Sequence, residues 1–152
     1  MHATQLALIS LAAGMAISIQ SALSGQLSQR LSNPLLASAA VYLIGFLGIA
    51  AYLATHRSQL PPREILSQVP AYLWIAGGLI SAIALSCVYR VMPHFGVAST
   101  LLFVICGQLL IAALVSHFAW FGMPAAPLTP SRLFSLLLVV AGAALYNHQP
   151  TA

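Results

Sequence analysis

The sequence predicts an all-α integral membrane fold of five transmembrane helices, and three observations carry that reading. Only 4% of the 152 residues are charged, whereas 61% are hydrophobic. The mean hydropathy is +0.97. The nine prolines fall between long apolar stretches that contain none. A water-soluble domain carries about 25% charged residues, so this surface faces something other than water. A helix crosses a bilayer with about 20 apolar residues, which leaves room for the spans and for no soluble domain beside them. The chain therefore reads as a single transmembrane domain over residues 1–152, with the lipid bilayer as its first partner.

The first span covers 5–29, apolar from Gln5 to Ser28 and closed by Arg30 and the Ser32-Asn33-Pro34 turn. It lacks a basic leader and exceeds the roughly 7–15-residue core of a signal peptide, so it is expected to be retained. The second span, 34–55, starts on Pro34, which a first helical turn accepts, and ends before His56-Arg57. The longest loop follows, Ser58 to Val69, holding Arg63 and Glu64, the one acidic residue in the chain. The third span covers 70–90. A turn at Met92-Pro93-His94-Phe95-Gly96 leads into the fourth, 97–121. After a proline-punctuated loop, Ser131 is expected to cap the fifth, 131–148, which is close to the shortest length that spans.

Five spans place the termini on opposite sides. Arg57, Arg63 and Arg132 then fall on the N-terminal side, with Arg30 and Arg90 on the other. The positive-inside rule orients spans by Lys/Arg excess. This near balance leans weakly to an inside N-terminus and fits dual insertion equally well. Tyr52, Tyr72, Trp74 and Trp120 gather toward the N-terminal side and Tyr89 and Tyr146 toward the other, as interfacial belts do. The basic residues are all arginine and singly scattered, so no nucleic acid is expected as a partner. Cys87 and Cys106 sit mid-span without polar co-ligands and read as small core hydrophobes. No metal or other cofactor is expected.

Polar groups within spans are informative because each must be satisfied inside the protein. In the first span Ser10, Gly14, Ser18, Ser21, Gly25 and Ser28 form one stripe, with Gln20 and Ser24 beside it. A seam of small residues for helix packing and a cavity lining both produce that pattern, and Gln20, a long amide near mid-depth, bears on the second. The second span offers Tyr42, Gly45 and Gly48. The third offers Trp74, Gly77, Gly78, Ser81 and the ladder Gly78, Ala82, Ser86. The fourth carries Gly107-Gln108 and, near its end, Ser116-His117, while the fifth carries a packing patch at Ala141-Gly142-Ala143-Ala144. Counted from the span ends, Gln20, Tyr42, Ser81 and Gln108 share a depth. Such convergence marks a transport site, and a polar packing knot would look the same. His117 is the one histidine within a span; interfacial anchoring and proton carriage are both open to it. No phosphate-binding loop, HExxH pair or serine motif with a base in register is present, so an enzyme is not expected.

The order Gly14-x5-Gln20, Pro34 with Gly45, Trp74-x2-Gly77-Gly78, Pro93-x2-Gly96, Gly107-Gln108, His117-Phe118 with Gly122, and Arg132 resembles the YdcZ-like family of small five-helix membrane proteins. That family is a branch of the drug/metabolite transporter superfamily, and the resemblance covers essentially the whole chain. It implies a multi-pass protein of the bacterial inner membrane that exports small solutes. Its members occur as single units, adjacent pairs and fused ten-helix proteins, which implies an antiparallel homodimer or a paired homologous subunit forming a ten-helix inverted repeat. Two departures stand out: Ser24 where the family pattern leads us to expect Asn, and Ser116 where it leads us to expect Asp.

The expected function is export of a small metabolite or drug-like solute by alternating access through a midplane polar cavity. Its substrate-binding candidates are Gln20, Ser24, Tyr42, Trp74, Ser81, Gln108 and His117. A small dual-topology channel and a non-transporting subunit of a larger complex are the alternatives.

Overall fold

The structure is a computed structural model and describes residues 3–148. Six α-helices follow one another: α1 (Ala3–Leu31), α2 (Pro34–Thr55), α3 (Arg63–Gln68), α4 (Ala71–Phe95), α5 (Val97–His117) and α6 (Pro130–Asn147). All but α3 are long and apolar enough to cross a membrane, which makes five candidate spans among the described residues. Two compact units divide between His94 and Phe95.

The first unit is organised by one turn. Ser32 takes a left-handed φ of 49°. That lets Ser32 N bond Gln29 O at 3.1 Å and Asn33 N bond Ser28 O at 3.2 Å, the paired closure of a Schellman motif. The next residue begins a new helix at once: Asn33 Oδ1 accepts from Leu35 N at 3.0 Å and Leu36 N at 3.1 Å, and Pro34 occupies the first turn. Three residues thus stop α1, start α2 and reverse the chain into a helical hairpin whose arms pack on each other.

The connection read as loop from Ser58 to Val69 contains α3, which Pro62 precedes, with Glu64 in its first turn. A carboxylate there meets the positive end of the helix dipole. The next helix, α4, begins at Ala71 and runs through Pro93 to Phe95, beyond the Arg90 end read from the sequence. A proline in a last turn forfeits one backbone bond, and Gly96 ends the helix instead, at φ 84° and ψ 154°. Residues with a Cβ are essentially excluded from that region.

In the second unit Gly96 also opens α5, its carbonyl accepting from Thr100 N at 3.1 Å and Thr100 Oγ1 at 2.7 Å. The fourth span was read to Phe121 and stops at His117, because Ala119 (φ 52°) and Phe121 (φ 57°) are left-handed. The chain then folds back, and Ala126 N bonds Ser116 O at 2.8 Å. The cap of α6 is Thr129, not the expected Ser131; its Oγ1 accepts from Arg132 N at 3.3 Å, and Pro130 takes the first turn.

The buried positions invert a soluble core. Among the described residues the buried apolar side chains are Ala37, Tyr89, Met92, Cys106 and Ala143, whereas Ser21, Ser24, Ser28, Ser38, Ser86 and Thr100 are buried polar ones. Leucine, isoleucine and phenylalanine point outward along every span. In lipid the tails are as apolar as leucine, so helices meet through small residues and hydroxyls. Gly25 is the tightest contact: a Cβ there would lie 2.8 Å from Met92 Sδ.

Gly96→Ala is expected to lower stability by about 1–3 kcal/mol, the cost of forcing a Cβ into that backbone region. Gly142→Ala, in mid-helix with no atom within 4 Å of the added carbon, should show no loss. Unfolding in mixed micelles measures both.

Candidate functional site

Three polar contacts tie α4 to the α1–α2 hairpin. Gln20 Nε2 on α1 donates to Tyr89 OH on α4 at 2.8 Å and to Ser24 Oγ at 3.1 Å. Ser24 Oγ donates in turn to Gln20 O at 2.8 Å. Tyr42 OH on α2 meets Ser81 Oγ on α4. Ser38 and Ser86 share a hydrogen bond at 2.8 Å, and Ser86 also reaches Ala82 O at 2.7 Å. Among the described residues no buried side-chain nitrogen or oxygen lacks a partner.

Proton bookkeeping fixes the roles. A hydroxyl has one hydrogen, and that of Ser24 goes to the Gln20 carbonyl, so its oxygen must accept. The Gln20 amide therefore presents its nitrogen, and both N–H groups are used, one on Ser24 and one on Tyr89. Two groups of the cluster keep free capacity among the described residues: Gln20 Oε1, an acceptor, and the Tyr89 hydroxyl hydrogen, a donor. The cluster thus has capacity for one more hydrogen bond received, at Gln20, and one more given, at the buried Tyr89 hydroxyl.

Toward the Ser32–Pro34 turn the cluster adjoins an open cleft of about 740 Å³ between α1, α2 and α4. The Tyr89 ring, 0% exposed, forms part of its wall, with Ser28, Ser86, Cys87, Arg90 and His94 around it. Arg90 and Cys87 are exposed.

The expected site residues divide between the two units. Tyr42 and Ser81 meet, as their shared depth suggests. Gln20 pairs instead with Tyr89, which the sequence reading set in an interfacial belt. The spacing held a signal for it, because Tyr89 lies three residues beyond Ser86, on the packed face of α4. Ser24 is buried beside Gln20, and Trp74 is 62% exposed in the first turns of α4. Gln108 and His117 belong to the second unit. Gln108 is exposed on α5. His117 Nδ1 accepts from Leu128 N at 3.1 Å and its ring meets the edge of Phe118, so that nitrogen holds the returning loop. A smaller cleft of about 420 Å³ lies between α5 and α6, where Arg132 Nη1 donates to Pro127 O at 2.8 Å.

A Tyr42→Phe and Ser81→Ala double-mutant cycle is expected to give a coupling energy of about 0.6 kcal/mol, and no more than about 1.7, the range for hydrogen bonds between membrane helices. Reversible unfolding of the two single variants and the double variant supplies the measurement.

Compared with known proteins, the chain matches over residues 5–145 the family described as "Putative inner membrane exporter, YdcZ". No curated protein and no solved structure matches it.

Proposed function

The chain belongs to the YdcZ family of multi-pass inner-membrane proteins, and from that premise we propose that it exports a small solute by alternating access, as an antiparallel pair of copies. The observation that carries the reading is the Gln20–Ser24–Tyr89 cluster. Each of its members is hydrogen-bonded within an apolar bundle, yet Gln20 Oε1 and the Tyr89 hydroxyl hydrogen keep capacity among the described residues, and Tyr89 lines an open cleft. A solute that offers both kinds of group can exchange with these bonds without stranding a polar atom in hydrocarbon. Tyr42 and Ser81 extend the path along α4. Trp74 and His117 stand near span ends, where a solute enters or leaves.

Three features support the paired assembly. An odd number of spans with nearly balanced arginines lets copies insert both ways. At Gly14, Gly45, Gly77, Gly78 and Gly107 nothing from another helix lies within 4 Å of where a Cβ would be, so small-residue faces made for close approach are left unfilled. Gln108, an exposed amide in mid-span, has no hydrogen bond among the described residues, and a polar group there is costly unless another surface meets it. Glycine faces would let the helices of the pair shift and open each side in turn. The family's description as inner membrane exporters supports transport as the function.

Gln20→Leu should reduce solute uptake into everted membrane vesicles by about tenfold or more, equivalent to about 1.4 kcal/mol, with the protein still present in the membrane at wild-type level. Unchanged uptake would remove the cluster from the pathway. Reporter fusions at the C-terminus should give signal on both sides of the membrane; a uniform orientation would overturn the antiparallel pair. Single-channel currents from the purified protein in planar bilayers would assign it to the channel class.

A further inference from the structure

The charge around the cleft narrows the substrate class. Arg90 lines it and makes no ion pair or hydrogen bond among the described residues. His94, one turn further along α4, lines it as well. The only acidic side chain of the sequence, Glu64, is on α3 beyond the far end of α2, which puts it about 30 Å away at 1.5 Å of rise per residue. The first residues of α2, Pro34 and Leu35, border the same space. Asn33 already occupies the first free amides there, and the C-terminal turns of α1 and α4 border the same space through Ser28, Gln29, Arg90 and His94, so the helix dipoles offset one another. Positive charge at the cleft therefore comes from the Arg90 guanidinium, and no acidic side chain stands in the lining. By contrast, Arg132 in the second unit is turned onto a loop carbonyl. The remaining surface is mixed, with hydroxyls at Ser28 and Ser86 and an apolar wall at Ile83. A volume near 740 Å³ accommodates a drug-sized organic molecule.

We propose that this cleft is the binding vestibule of the exporter and that it selects amphipathic organic anions, with Arg90 pairing the carboxylate or phosphate oxygens while the apolar body lies toward Ile83 and Tyr89. This assignment rests on the exporter reading above. Arginine suits the task because its planar fork matches an oxyanion with two parallel hydrogen bonds. A lipid headgroup carries the same oxyanion chemistry as a free solute, so the test separates the two sources.

Cys87, one helical turn from Arg90 on the same face, reports on the cleft directly. A Cys106→Ala variant leaves Cys87 as the only thiol. In phosphatidylcholine liposomes its modification is timed with an anionic methanethiosulfonate (sulfonatoethyl) and a cationic one (trimethylammonioethyl), each scaled to its rate with a free thiol. The anionic reagent should be favoured about five- to tenfold, as a unit charge some 7 Å away in water dictates. Arg90→Gln should abolish the preference, and millimolar benzoate should slow the anionic reaction only when Arg90 is present.

Failure of both reagents to reach Cys87 would overturn the vestibule, since a dry or lipid-filled cleft admits neither. A preference that is absent, or that survives Arg90→Gln, would overturn the anion selectivity. Slowing by phosphatidylglycerol but not by benzoate would keep the oxyanion chemistry and assign it to lipid. None of these readouts depends on transport. Anion selection without efflux of any solute would defeat the exporter reading alone, and Gln20-dependent efflux without anion selection would defeat this inference alone.

Discussion

Inside a bilayer there is no water to finish an unmet hydrogen bond, and that one constraint explains most of this molecule. Each span is a helix because only a helix satisfies its own backbone in hydrocarbon. The same constraint reaches the side chains. Ser10, Ser18 and Ser135, all on spans, return their hydroxyl hydrogens to the carbonyl four residues back. Ser24, Ser86 and Thr100 do so while also facing inward. A hydroxyl bonded within its own helix costs little anywhere along a span. Gln20 cannot satisfy its amide that way, so it recruits Ser24 beside it and Tyr89 across the bundle. Hydrogen bonds thus join α4 to the hairpin beside the close Gly25–Met92 contact, and through Tyr89 they reach the wall of the cleft.

Packing follows the same logic. With leucine and lipid equally apolar, no hydrophobic force draws the helices together. Contact must come from close approach and from hydrogen bonds, so the interior is built of serine, alanine and glycine, with Tyr89 and Met92 as its large members. The hairpin turn at Ser32–Pro34 sets the geometry, because it closes α1 and caps α2 with the same three residues. Tight packing concentrates near that turn, around Gly25 and Met92, whereas at Gly14, Gly45, Gly77 and Gly78 toward the other end nothing from another helix of the first unit lies within 4 Å of where a Cβ would be. The first unit is thus firm at the cleft and open at its opposite end, which suits a bundle whose remaining faces receive another surface.

Sequence alone determined the membrane class, the number of spans and most of their limits, because hydropathy, length and proline placement are local properties that the bilayer reads directly. It also picked out Gln20, Ser24, Tyr42 and Ser81 as the polar groups of the first three spans. It misjudged ends that depend on backbone dihedrals: Pro93 looked like a helix stop, but Gly96 stops α4, and the left-handed Ala119 cuts α5 short of Phe121. What only the tertiary structure decided is partnership. Span depth put Gln20 level with Tyr42, yet α4 brings Tyr89 to it, and a tyrosine that sequence assigns to an interfacial belt becomes the largest fully buried side chain among the described residues. Arg90 likewise reads as a topology signal until α1, α2 and α4 enclose a cleft beside it. Which polar groups meet depends on how helices rotate and stand off from one another, and periodicity along one helix carries no information about the azimuth of the next.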